Sequence, residues 1–162
     1  MSTNHTEKVG VYVCHCGVNI SQTVNVEEIA EAMKSNPNVE VSTAYKFMCS
    51  DPGQKMVEDD IKEKGLTRVV VAACSPHMHE LTFRTACERA GLNRYLFQMA
   101  NIREHCAWVH SDMDKATDKA HSLVNAAVRR VVFQEQLTPM RAEIHPDTLI
   151  IGAGIAGIQA AL

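Results

Sequence analysis

Three short apolar runs in this chain each give out onto a cysteine. Val9–Val13 leads to Cys14, Asn38–Phe47 leads to Cys49, and Arg68–Ala73 leads to Cys74. A fourth run, Tyr95–Met99, stands a few residues before Cys106. Between the runs the apolar period changes. Val26, Ile29, Ala30 and Met33 recur at i, i+3, i+4 and i+7, which is one face of a helix. A second helix is expected from near Pro52 to about Lys64, ending at Gly65. A third carries Phe83, Ala86, Cys87 and Ala90 on one face, with Gly91 as its C-cap. Mostly apolar runs, rather than strict alternation, mark strands buried on both faces. Strands of that kind alternating with helices imply a parallel sheet covered on both sides. The expected fold class is therefore α/β, a small Rossmann-like parallel sheet flanked by helices.

A long helix should close the domain. Asn101 can cap it, with Glu104 three residues on. The stripe Ile102, Cys106, Val109, Met113, Ala116, Ala120, Leu123 and Ala127 steps by four and three alternately and should run to about Gln136. A near-heptad stripe suits packing on its own domain or on another chain, a homodimer included. The expected organisation is a domain over 1–137, a linker over 138–147 containing Pro139 and Pro146, and a different unit over 148–162. That last stretch, T-L-I-I-G-A-G-I-A-G-I-Q-A-A-L, reads as strand, G-x-G-x-x-G turn and helix start. Gly152, Gly154 and Gly157 would let a dinucleotide pyrophosphate approach the helix N-terminus. The second strand and the acidic residue that complete such a unit do not follow before Leu162. The expectation is an incomplete start of a dinucleotide-binding domain, loosely packed here and without tight dinucleotide binding from this chain alone.

Charge and composition narrow the function classes. Nineteen acidic against 16 basic residues, a formal net charge of -3, give no electrostatic reason for a nucleic-acid partner. No run approaches the roughly 18 apolar residues of a membrane span. Met1–Lys8 is polar and lacks the apolar stretch of a secretory signal. The expected setting is cytoplasmic, where six cysteines point to metal or redox chemistry rather than a disulfide framework.

The cysteine positions carry that chemistry. In a parallel sheet the carboxyl ends of the strands share one edge, where ligands bind. Cys14, Cys16, Cys49, Cys74 and Cys106 all follow strands, so they should converge there. Cys49-Ser50-Asp51-Pro52 and Cys74-Ser75-Pro76 set thiols beside helix starts, with Asp51 and Ser75 as the expected caps. Thiols at such positions are expected to ionise readily and to suit an anionic cluster. Thiolates ligate iron–sulfur clusters, and four of them also suit tetrahedral zinc. Five candidates for four positions leave one spare. Chemistry alone drops Cys106 first, since it lies on an apolar stripe. Cys87 reads as core. His15, His77, His79, His105 and His110 lie toward the same edge and could hydrogen-bond sulfur or stand in solvent, while Trp108, Met48, Met78 and Met99 should pack nearby.

Four motifs carry a family likeness: V-Y-V-C-H-C-G-V-N-I at 11–20, M-C-S-D-P-G-Q at 48–54, V-V-V-A-A-C-S-P at 69–76 and A-N-I-R-E-H-C-A-W-V-H at 100–110. They resemble the N-terminal region of the heterodisulfide reductase A-subunit family, flavin and iron–sulfur proteins of methanogens and other anaerobes. The resemblance covers essentially the whole chain, and G-A-G-I-A-G resembles the start of that family's flavin domain. It implies a [4Fe–4S] cluster held by an unusual cysteine pattern, with Cys14, Cys16, Cys49, Cys74 and Cys106 all matching motif cysteines, which raises Cys106 again. It also implies FAD in a full-length context. The implied partners are other heterodisulfide reductase-like subunits, together with a hydrogenase or formate dehydrogenase module. The leading reading is an electron-transfer module with one cluster, not catalytic alone. The alternative is a structural zinc-bound or metal-free domain that docks subunits through the long helix. A thiol oxidoreductase using Cys14 and Cys16 would leave the other edge cysteines unexplained.

Overall fold

The computed structural model describes residues 7–162; the first six residues of the polar N-terminal stretch lie outside it. Four parallel strands form one sheet in the order β2-β1-β3-β4. They are β1 (Val9–Cys14), β2 (Val39–Tyr45), β3 (Arg68–Ala73) and β4 (Phe97–Asn101). The fourth strand sits about two residues later than the apolar run suggested. Leu96 and Phe97 enter the core there, and the Val69 N–H bonds to the Leu96 carbonyl at 3.1 Å. The central strands are buried along their length apart from Arg68 at the start of β3, as their Val-rich sequences require.

Helices α1 (Val26–Met33), α2 (Asp51–Lys64) and α3 (Pro76–Arg89) connect the strands. Asn25 caps α1, its Oδ1 accepting from the Glu28 N–H at 3.2 Å while its Nδ2 donates to the Glu28 carboxylate at 3.0 Å. Ser50, not Asp51, caps α2. Its hydroxyl accepts from the Gly53 N–H at 3.5 Å, which leaves Asp51 in the first turn, where a carboxylate complements the helix dipole. Gly65 ends α2 at φ +63°, a conformation that favours glycine. Ser75 caps α3 as expected.

The expected single helix from Ile102 is two pieces. Asn101 ends β4 but still accepts from the Glu104 N–H at 3.1 Å. It opens only a π-helical turn, Arg103–Ala107. The chain then breaks, Asp112 caps anew by accepting from the Lys115 N–H at 3.1 Å, and α4 runs over Met113–Val132. Val109 and Met113 fall at the break and are exposed, so they leave the stripe. Ala116, Ala120 and Ala127 of the stripe are buried against the chain's own sheet together with Val124, Val128 and Val131, and Leu123 is partly buried beside them. Docking to another chain through that stripe is therefore not available. Arg68 ties down the far end: its guanidinium donates to the Val131 and Gln134 carbonyls at 3.1 Å each.

The sheet separates two cores. One lies beneath α1 and α4 and includes Val11, Val13, Val70 and Cys106. The other lies beneath α2 and α3 and includes Tyr12, Phe83, Phe97, Cys87, Cys14 and Cys74. Residues 134–154 form no regular element, and α5 (Ile155–Ala161) follows with no buried residue. The strand expected at the start of 148–162 is not formed. A strand needs a neighbour to satisfy its N–H and C=O groups, and Leu149 and Ile151 stand exposed. The turn itself is present: Gly152 has φ +119° and Gly154 caps α5.

Candidate metal centre

The strand order decides where a site can form. From β1 the chain crosses to β2 on one side, and from β3 it crosses to β4 on the other. The connections part at the carboxyl ends of β1 and β3, which opens a crevice there. Cys14 is the last residue of β1, and Cys74 is the first after β3.

Four of the five expected edge cysteines meet in this crevice. Cys14, Cys16, Cys49 and Cys74 line one small pocket with Phe47, Ala73, His79, Phe83 and Arg103. Cys106 is not among them. It is fully buried in the opposite core, and its carbonyl bonds to the His110 ring at 2.9 Å. The helical offset places it there: the π-helical turn directs Cys106 beneath the sheet, toward α4, while Arg103 reaches across the pocket. Cys87 is core, as read from its helix face. All six thiols are free. Among the described residues, no three His, Cys, Asp or Glu side chains are gathered tightly enough to hold a single metal ion.

The loops that carry these cysteines are held in unusual backbone shapes. Cys16 has φ +53° and Gly17 has φ +64°, two left-handed residues in succession. Such a conformation in a side-chain-bearing residue is costly and marks sites where geometry matters more than comfort. It turns the Cys16 N–H back onto Cys14 Sγ at 3.3 Å, and the Met48 N–H reaches the same sulfur at 3.5 Å. Met48 is fully buried and anchors its loop. Gly53 lets α2 start hard against that loop, since a Cβ there would meet the Met48 carbonyl oxygen at 2.5 Å.

Burial governs the Cys14 and Cys74 thiols. Desolvation pushes the Cys74 thiol up to about 11, although Arg103 works in the other direction. Cys14 is raised too, by burial first, with the Met48 and Cys16 N–H groups lowering it. This reverses the expected depression at Cys74. A thiol withdrawn from water holds its proton until a cation arrives to replace it, and metal uptake then releases that proton.

Of the histidines among the described residues, His79 alone lines the pocket. His15 lies 3.1 Å from Glu27, and His105 faces a groove beside β4. Trp108 is exposed and Met99 buried, while Met78 Sδ touches Arg103. Arg103 itself was not singled out by sequence. Its Nη1 stands 3.2 Å from Cys16 Sγ. The signal available was its place in A-N-I-R-E-H-C, four residues beyond the expected strand Tyr95–Met99. Gly152, Gly154 and Gly157 lie far along the chain, with open space around the first two.

The donor set fits an iron–sulfur cluster. It offers four thiols from three βα connections, main-chain N–H groups aimed at sulfur, and a guanidinium beside it. No protein-family model matches the chain. Curated relatives do. A Methanopyrus kandleri protein, named as the second iron–sulfur A subunit of CoB–CoM heterodisulfide reductase, is 54% identical over 156 residues, 96% of this chain and 24% of its own. The A subunit of the Methanothermobacter marburgensis H(2):CoB–CoM heterodisulfide,ferredoxin reductase is 52% identical over 161 residues, 99% of this chain and 24% of its own. The A subunit of the Methanosarcina mazei ferredoxin:CoB–CoM heterodisulfide reductase is 45% identical over 156 residues, 96% of this chain and 20% of its own. The chain thus spans about a quarter of the length of the relatives it matches.

Proposed function

Over nearly its whole length the chain is a homologue of one region of the heterodisulfide reductase A subunits, and from that premise we propose that it is an electron-transfer module binding one [4Fe–4S] cluster through Cys14, Cys16, Cys49 and Cys74. The observation that carries this reading is the convergence of those four thiols on one pocket at the sheet's switch point. The relatives' names point the same way, since iron–sulfur stands in one and ferredoxin reductase in another.

When bound, such a cluster supplies a site that gains and loses one electron without moving protein atoms far. The chain's own residues do the rest. Cys14 and Cys74 are nearly out of water, which keeps competing ligands from the inner sulfurs. The Cys16 and Met48 N–H groups spread charge from the Cys14 sulfur. Phe47 and Phe83 wall the pocket, and Cys16 and Cys49 stand on its more open side. Electrons would pass from here to a flavin or cluster in a heterodisulfide reductase-like complex, with a hydrogenase or formate dehydrogenase module as its source. Gly152, Gly154 and Gly157 would contribute to FAD binding only in a full-length context. Among the described residues no helix is long and apolar enough to cross a membrane; we place the module in the cytoplasm.

The test is iron, acid-labile sulfide and zinc content of anaerobically purified protein, with EPR before and after dithionite. About four iron and four sulfide per chain, with bleaching on reduction, is the expected result. One zinc per chain and no colour would replace this reading with a structural zinc module.

A further inference from the structure

Arg103 keeps odd company for an arginine. Besides Cys16 Sγ, it reaches Met78 Sδ at 3.0 Å and donates to Glu104 Oε1 at 2.9 Å, both through Nη2. Its guanidinium carbon stands 4.6 Å from the ring centroid of Trp108. The side chain is only 11% exposed, and Nε has no partner among the described residues. Glu104, its neighbour in the chain, likewise leaves buried Oε2 without a partner there. An incompletely paired cation withdrawn from water is unfavourable in itself. Packing offers no reason for it, because its contacts are two sulfurs, an aromatic face and an adjacent carboxylate. What the arrangement does achieve is a fixed positive charge at hydrogen-bond distance from a pocket sulfur.

Resting on the cluster reading above, we propose that Arg103 raises the reduction potential of that cluster by donating to the Cys16 sulfur, with Trp108 as the positioning residue that holds it there. Reduction adds one electron, and so one negative charge, to the site. A cation beside a ligand sulfur stabilises the reduced state more than the oxidised one, and shielding from water preserves the effect. Trp108 covers the guanidinium face that solvent would otherwise reach, a cation–π contact whose ring is itself largely exposed. Glu104 opposes Arg103, since its carboxylate neutralises part of the same charge. Arg103 and Trp108 therefore act with one sign and Glu104 with the other. Loss of Arg103 or Trp108 lowers the potential, and loss of the Glu104 charge raises it.

The experiment is an EPR-monitored dithionite titration of anaerobically loaded wild type, Arg103→Gln, Arg103→Lys, Glu104→Gln, Trp108→Ala and Trp108→Phe. The midpoint should fall most in Arg103→Gln and less in Arg103→Lys. It should fall modestly in Trp108→Ala and return in Trp108→Phe, and it should rise in Glu104→Gln. If Arg103→Gln does not load, the opposed shifts of Trp108→Ala and Glu104→Gln decide the matter. Fully loaded variants with the wild-type midpoint would overturn this inference and leave the cluster reading standing. Wild type that takes up no iron and sulfide on reconstitution would overturn both.

Discussion

The two faces of the sheet are built from different materials. Beneath α1 and α4 the core is aliphatic, with valines of β1 and β3 meeting Ala116, Ala120 and Ala127. Beneath α2 and α3 it is aromatic and sulfur-rich. Phe83 and Phe97 stack with centroids 6.0 Å apart, and Tyr12 donates from within it to Asp60 at 2.9 Å. Alanines let a helix lie close along a sheet, and Ala116 and Ala120 are fully buried there. Larger and more varied side chains fill the other side, and it is this side that opens at its carboxyl end into the thiol pocket lined partly by Phe83. One face is packed with aliphatic side chains, and the other opens into the four-thiol pocket. The fifth edge cysteine belongs to the closed face, which is why the pocket is lined by four.

The largest effect should come from crossing that divide with single Cys→Ala substitutions. Cys14, Cys16, Cys49 and Cys74 variants should lose most iron and sulfide, whereas Cys106→Ala and Cys87→Ala should load fully, as read by metal analysis. Iron loss in Cys106→Ala alongside retention in two of the pocket variants would erase the distinction between the faces.

Stability should divide along the same line. Phe83→Ala removes a ring that is 1% exposed, and should cost about 3–5 kcal/mol in urea unfolding. Ala120→Leu adds bulk where the closed face has none to spare, and should cost about 1–3 kcal/mol. A neutral outcome for the leucine would mean that this face is looser than its buried alanines indicate.

The aromatic face should also respond to alkali. Burial pushes the Cys87 thiol from 9.0 up to about 12. A raised folded-state value means that the native state holds the proton more tightly. The stability it contributes is fully present below pH about 9 and is lost as pH rises toward about 12. Thermal unfolding of wild type should therefore decline over that window more than that of Cys87→Ala, which lacks the group. Equal declines would assign the alkaline sensitivity to other groups.

The smallest effect should come from the region that belongs to neither face. Residues 138–147 are exposed throughout, and α5 buries nothing. Deleting 138–162 should move stability by less than about 0.5 kcal/mol. A larger loss would place the domain boundary later than residue 137.

Local pattern determined much of this protein by itself. Apolar runs placed β1 and β3 within a residue, and helical periodicity, Gly65 and Ser75 placed three helices. These depend on neighbours along the chain, which sequence contains. The strand-to-cysteine spacing brought four of the five expected thiols to one edge, and 45–54% identity to heterodisulfide reductase A subunits agrees with the likeness carried by the four motifs. Tertiary structure decided the rest. The break after Ala107 turned one expected helix into a π-helical turn and α4, because the chain had to leave the sheet edge before it could cover the sheet. That turn sent Cys106 beneath the sheet and Arg103 over the pocket. The Cys74 thiol, beside a helix start, is harder to ionise than its sequence position suggested, since burial depends on what packs above a residue. The strand expected near 148–151 had the right composition and no neighbour. Hydrogen bonds between strands, burial of a sulfur and the side of a sheet on which a side chain lands all depend on residues distant in the chain, and only the folded molecule brings those together.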